Sequence, residues 1–319
     1  MNRKEPIELL SVQTMITALA GGVGAAKFLT GLVKLVNQED LTVIVNTGDD
    51  IELHGLHISP DMDTIIYTLA SVVDEEKGWG MKGDTFNCLE AISRFGQETW
   101  FALGDRDLAT HLYRTMLLRK GQKLSEITGK IARVFGLNLT VLPMTDDRFE
   151  TRIKTKDGSI HFEEYFVQKK CQEEVLGVEF IGAENVKPTT GVLDAIAASD
   201  LLIVCPSNPI VSIGTILAVN GIREALRKTK ARKVAVSPIV AGTPIKGPAD
   251  KLLKALGLEV SAFGVAKLYA DFLDTFIIDI ADAEEKTRIE ELGVEVKVTN
   301  TIMRSLEDKV ALAKTVLES

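Results

Sequence analysis

The stretch ITALAGGVGAAKFLTGL, residues 16–32, runs from an apolar segment through Gly21, Gly22 and Gly24 into a helix-like pattern. A β-strand, a glycine-rich turn and the start of a helix are what this order predicts, and backbone N–H groups at such a helix start are placed to face an anion. The spacing departs from the familiar phosphate-binding templates. A dinucleotide fingerprint wants Gly or Ala where Lys27 stands, and a P-loop wants four residues between its glycines followed by Gly-Lys-Ser/Thr. The loop therefore favours a nucleotide or sugar phosphate without naming one. Lys27 is either a contact to that phosphate or a solvated helix residue.

The same grammar recurs along the chain. LTVIVNTGDD (41–50), TWFALGDRD (99–107), LLIVCPSNP (201–209), KVAVSPIVAG (233–242), FIIDI (276–280) and VEVKVTN (294–300) read as further strands. Most end in a Gly, Ser, Asn or Asp cluster that leads into a helical period. That alternation predicts an α/β, Rossmann-like, doubly wound and mainly parallel sheet, whose ligands bind beyond the carboxyl ends of the strands. One interval breaks it: RFETRIKTKDGSIHFEEYFV (148–167) alternates with period two around Asp157-Gly158, a type I′ hairpin signal. The expected organisation is a core in two parts, 15–141 and 188–319, with a small β-rich subdomain inserted at 142–187. Residues 1–14 read as a ragged extension.

The chain has 319 residues, 45% of them hydrophobic, and a net charge of −8. Such a length buries a substantial core. The negative balance argues against nucleic acid as the main partner, because that binding draws on surplus Lys and Arg. Apolar runs are broken well short of the ~20 residues of a bilayer span, so no membrane segment is expected. Three scattered cysteines, Cys88, Cys171 and Cys205, form no disulfide framework, which makes a reducing cytoplasm the default. Cys205, closing an apolar strand, reads as a buried filler and not as a nucleophile.

The acids after the second strand are more specific. VNTGDDIELHGLHISPDMDTIIYTLA (45–70) sets Asp49 and Asp50 at a strand end, then Ser59 as a helix N-cap, Pro60 in the first position, and Asp61 and Asp63 in the first turn. The helix dipole alone accounts for carboxylates in that turn. It does not account for so many acids at one sheet edge beside an anion-binding loop. Mutual repulsion among Asp49, Asp50 and Asp63 calls for a cation, and Mg²⁺ takes carboxylate oxygens together with substrate phosphates. A rival role for Asp49, 25 residues beyond Gly24, is to grip a ribose hydroxyl.

Other strand ends supply further candidates. Arg106 either holds a phosphate or ring edge through its planar fork or pairs with Asp105 or Asp107; His111 and Arg114 follow on the next helix. Ser207, Asn208, Ser212 and Gly214 form a set of neutral groups suited to a phosphate, and Ser237, Thr243, Lys246 and Gly247 form a second. Either set also fits turn chemistry alone.

Taken in order, AGGVGAAKFLTGL, VNTGDDIELHGLHISPDMDT, GWGMKGDTF, LGDRDLATHLYR, LPMTDDRFET, HFEEYFV, PSNPIVSIG, VSPIVAGTPIKGPA and GVAKLYADFLD resemble the 2-phospho-L-lactate transferase family of coenzyme F420 biosynthesis, over almost the whole chain after residue 14. The resemblance implies Mg²⁺-dependent transfer of a 2-phospholactyl or phosphoenolpyruvyl group from a guanosine diphosphate-linked donor to the ribityl hydroxyl of the deazaflavin Fo, with GMP leaving. It implies a homodimer as well. On this reading Gly21, Gly22, Gly24, Lys27, Ser207, Asn208, Ser212, Gly214 and Ser237 hold the nucleotide phosphates, and Asp49, Asp50 and Asp63 hold Mg²⁺. Asp63, Asp50 and Arg106 are catalytic, and Asp63, Arg106, Trp79 and His111 meet the deazaflavin. The alternatives are a non-catalytic nucleotide-sugar-binding regulator and an NAD-linked oxidoreductase. The regulators resembling this family carry a Gly/Ser-rich stretch where this chain has DIELHGLHISPDMDT, and the oxidoreductase needs no Mg²⁺.

Overall fold

Residues 14–319 are described by a computed structural model; apart from its last residue, the N-terminal extension lies outside them. Seven strands, β1 (Ile16–Ala20), β2 (Leu41–Val45), β3 (Thr140–Pro143), β4 (Leu201–Val204), β5 (Arg232–Val236), β6 (Thr275–Asp279) and β7 (Glu295–Thr299), form one sheet in the order β7-β6-β5-β4-β1-β2-β3. All six pairings are parallel. β1 is buried at every residue, as a central strand covered on both faces must be. Apolar cores lie on both sides, one built on Leu19, Ile44 and Phe276, the other on Ala18, Val43 and Ile277. This is the doubly wound α/β sheet that the alternation predicted.

The chain runs outward from β1 through β2 to β3, then returns to β1's other edge with β4 and proceeds to β7. The order therefore reverses between β1 and β4, where two loops part and open a crevice. Four of the helices bear on the site: α1 (Val23–Leu32), α2 (Pro60–Leu69), α3 (Asp107–Leu118) and α4 (Leu306–Leu317). α4 starts at a capping box, in which Ser305 Oγ accepts the Asp308 N–H while the Asp308 carboxylate accepts the Ser305 N–H. Such a cap contributes ~1 kcal/mol. It lies along α1, and at Gly31 a side chain would collide with the Lys309 carbonyl.

Three sequence expectations change. TWFALGDRD holds no strand: residues 99–106 form an irregular loop leading into α3. The loop is stapled by carboxylates instead, Asp84 accepting the Arg106 and Asp107 N–H groups and Asp105 accepting those of Asn87 and Cys88. The expected boundary at 141/142 falls inside β3. The hairpin at 150–161 forms, and with Gly177–Ile181 makes a three-stranded antiparallel sheet, but its turn is not type I′. Lys156 and Asp157 connect the paired Thr155 and Gly158, and among these residues only Gly158 takes a positive φ, +128°. Two-residue turns with both central φ positive occur elsewhere, at His54-Gly55 and Ala241-Gly242.

Candidate active site

The two loops at the crossover are interlocked. The Gly21 N–H donates to Ser207 Oγ at 3.1 Å, and a side chain at Gly24 would collide with the Pro206 carbonyl. Only glycine permits that approach. Above them opens a cavity of about 910 Å³, lined at one end by Gly22, Gly24, Lys27, Ser207, Asn208 and Ser212. Gly21, Gly214 and Ser237 stand behind this wall: Gly214 packs on the Pro209 carbonyl, and Ser237 Oγ donates to the Ile239 carbonyl at 2.8 Å within its own turn. Asn208 Oδ1 accepts the Ile210 N–H at 3.0 Å, so part of its polarity shapes the loop.

Lys27 and Lys246 meet at the mouth. Partial desolvation and then the Lys27 ammonium pull the Lys246 amine below its usual range. Neither forms an ion pair with a carboxylate among the described residues, leaving the charge of both available to an anion.

Asp49 and Asp61 are drawn together by a residue the sequence reading passed over. The fully buried Asn46 donates through Nδ2 to Asp49 Oδ2 at 3.0 Å and to Asp61 Oδ2 at 2.9 Å. Its Oδ1 accepts the Gly48 N–H and the Thr215 hydroxyl, so the amide is fixed in orientation. Glu163, two residues past the 150–161 hairpin, completes the group. Burial, then Asp61, Glu163 and Asp50, hold the Asp49 carboxyl well above the usual range. Burial raises Asp61 to about 7 and, with Asp61 and Asp50 nearby, raises Glu163 to about 8. Asp50 sits behind: its Oδ2 lies 2.9 Å from His57 Nε2 and accepts the Ser59 hydroxyl at 2.8 Å. Ser59 occupies the N-cap position of α2, as the sequence predicts, but its hydroxyl serves Asp50 and not the helix. Asp49 and Asp50 each keep a buried Oδ1 without a hydrogen bond.

Asp63 faces elsewhere. Its Oδ2 accepts from Arg114 Nη1 at 3.0 Å and its Oδ1 from Arg114 Nη2, an ion pair whose guanidinium is wholly buried. Burial raises this carboxyl, with Arg114 and His111 opposing. The structure thus does not gather Asp49, Asp50 and Asp63. Among the described residues, the triad with metal-ligand proximity is Asp63, Asp107 and His111, and Arg114 already supplies its cation. Tyr67 donates to Asp107 Oδ1 at 2.8 Å.

Arg106 is exposed, outside the cavity wall, and pairs with neither Asp105 nor Asp107. Its side chain reaches back to the Lys82 carbonyl at 3.5 Å. Trp79 and His111 do line the cavity, together with Trp100, Phe101, Phe162 and Phe166. Lys77 Nζ lies 5.6 Å from the Trp79 ring. Phe162 and Phe166 are stacked at 5.6 Å. Cys205 is buried, and burial pushes its thiol up, which fits a packing role. No helix among the described residues is long and apolar enough to cross a membrane.

The cavity thus combines flat aromatic surface, N–H and ammonium groups suited to an anion, and a group of acids with no basic side chain paired to Asp49, Asp61 or Glu163 among the described residues. Comparison with known proteins spans nearly the whole chain. The family described as 2-phospho-L-lactate transferase CofD matches residues 16–316. A 2-phospho-L-lactate transferase of Methanocaldococcus jannaschii is 44% identical, with 95% of this chain and 97% of that one covered. A phosphoenolpyruvate transferase of Streptomyces griseus is 43% identical over 95% and 97%. A UPF0052-family protein of Bacillus halodurans shares the fold, with a TM-score of 0.65 at 18% identity, covering 95% of this chain and 98% of its own.

Proposed function

The chain belongs to the 2-phospho-L-lactate transferase CofD family and is a transferase, and on that premise we propose that it moves a phospholactyl or phosphoenolpyruvyl group from a guanosine diphosphate-linked donor to the ribityl hydroxyl of Fo. The supporting observation is the unneutralised acid group, Asp49, Asp61 and Glu163, set directly beside the interlocked glycine and serine loops. A diphosphate needs donors and a cation, and phosphoryl transfer is catalysed mainly by positioning and charge neutralisation. The membership weighs against the regulatory and oxidoreductase alternatives.

The residues suit Mg²⁺. Asp49 has a buried carboxylate oxygen without a hydrogen bond, and burial together with its acidic neighbours holds its carboxyl well above the usual range. Asp49 and Asp61 would hold the ion, with Asp50 adding charge behind them. When bound, Mg²⁺ supplies neutralisation of the charge on the reacting phosphate. This moves the ligand role from Asp63 to Asp61, because Arg114 already occupies both oxygens of Asp63.

The chain's own groups do the rest. The N–H groups at the start of α1 and the Ser207–Ser212 loop orient the diphosphate, while Lys27 and Lys246 draw in its charge. The aromatic wall carries the deazaflavin ring. Glu163 lines the same cavity, and in its ionised form it is the carboxylate that receives the proton of the incoming hydroxyl; with its carboxyl raised to about 8, that form gains as pH rises toward 8.

The test is incubation of the purified protein with Fo, Mg²⁺ and each guanylylated acid in turn, followed by mass analysis. A phosphodiester product with release of GMP is expected. Absence of product with every donor, or equal turnover in excess chelator, overturns the reading.

A further inference from the structure

We infer that Arg114 is a positioning residue: it locks His111 in the tautomer that carries its proton on Nε2, making a fixed hydrogen-bond donor in the cavity wall. The donor direction is dictated by chemistry. A guanidinium only donates hydrogen bonds. Arg114 Nη1 lies 3.2 Å from His111 Nδ1, so Nδ1 must accept, and the proton of a neutral ring sits on Nε2. That atom is 3.2 Å from Asp107 Oδ2 yet makes no well-aligned hydrogen bond, although the residue is only 1% exposed. An N–H held by its carboxylate in so poor an alignment can be shared with a ligand atom that enters the cavity.

The arrangement holds Arg114 in place from the other side. Nη1 and Nη2 both donate to Asp63, and no part of Arg114 lines the cavity, whereas Asp63, Tyr67, Asp107 and His111 do. Tyr67 fixes Asp107 in turn. A lysine keeps the charge but is a point donor on a flexible stem; it does not reproduce the planar fork that serves Asp63 and His111 together. The same cation explains why the Asp63, Asp107 and His111 triad is not a second metal site: its positive charge is already in place.

The identity of the ligand rests on the proposed function. On that reading the acceptor's polar ring edge, rich in carbonyl and ring-nitrogen acceptors, is what meets Nε2–H. The tautomer itself can be read without any substrate, so the two ideas fail separately.

Long-range proton–nitrogen NMR of the full chain labelled at histidine is the experiment, and four histidines make assignment tractable. His161 is a built-in reference, because its Nδ1 accepts the Glu163 N–H at 3.0 Å and its Nε2 lies 3.2 Å from the Asp50 carbonyl. Wild-type His111 is expected to show the Nε2–H pattern, and Arg114→Lys is expected to mix the tautomers at His111 while His161 stays unchanged. In kinetics, Arg114→Lys should raise KM for the acceptor about tenfold, the scale of one misplaced hydrogen bond, with KM for the donor within about twofold. A doubly protonated or Nδ1–H ring in the wild type overturns the inference, and that measurement needs no variant to fold. So does an unchanged His111 pattern in Arg114→Lys, or selective broadening of His111 by Mn²⁺ alone.

Discussion

Asp61 and Asp63 stand two residues apart on α2, yet their carboxylates meet opposite surroundings. Asp61 turns toward Asn46, Asp49 and the glycine loop, where its neighbours are other acids and one neutral amide. Asp63 turns toward α3, where Arg114 clamps both oxygens and His111 lies 3.7 Å away. The first group is short of positive charge and the second carries its own. Buried charge costs free energy unless paired, so the first arrangement persists either by holding protons or by binding a cation. The lesson is that a strongly acidic segment is two devices: one built to receive a ligand, the other built to hold the wall still.

The largest expected effect comes from making the same change on both sides. Asp49→Asn should reduce transfer by about 10²- to 10³-fold, the scale of losing a group that neutralises developing charge, while raising metal-free stability by ~1 kcal/mol through lost repulsion. Asp63→Asn should do the reverse to stability, lowering it by roughly 3–5 kcal/mol because Arg114 is left buried and uncompensated. Chemical denaturation beside steady-state assays reads both. Stability changes of the same sign in the two variants would erase the distinction between the two acid groups.

The next effect is a pH dependence carried by Asp61 and Glu163 of the first group. The folded-state carboxyls of Asp61 and Glu163 are raised, from 3.8 to about 7 and from 4.5 to about 8. The folded state therefore keeps protons that the unfolded chain has already released. Stability without divalent ions is full below about pH 4 for these groups and is lost as pH rises through about 7 to 8. Mg²⁺ should restore more stability at pH 8 than at pH 5.5, and thermal unfolding at the two pH values measures the difference. An equal Mg²⁺ effect at both would place the ion elsewhere.

The smallest effect sharpens the aromatic wall. Trp79→Ala is expected to raise KM for the deazaflavin about 3- to 10-fold with kcat nearly unchanged, the worth of one stacking partner. No change in KM would reduce Trp79 to a cover for the cavity edge, where it is already 38% exposed.

Much of the site could be read before folding was known, and the parts that could not share a cause. The glycine loop, Asp49 and the Ser207 loop lie at strand ends, and a parallel sheet puts every such end on one edge. The ion pair of Asp63 is not legible in the sequence, because its partner, Arg114, is 51 residues away on another helix. Glu163 is not legible in the sequence because it follows the 150–161 hairpin, outside the strand-end grammar, and is brought in by His161, whose ring links that hairpin to the Asp50 backbone. TWFALGDRD was misread as a strand because its apolar run is short and unbranched; Trp100, Phe101 and Ala102 turn to the cavity instead.

By itself the sequence determined the doubly wound α/β class, the crossover loops and the presence of surplus acid near them, because backbone periodicity and turn chemistry are local properties. Only the tertiary structure decided which of those acids stays unneutralised. That choice depends on where distant side chains such as Arg114 and Asn46 arrive, and the energy of a buried charge is set by its neighbours in space.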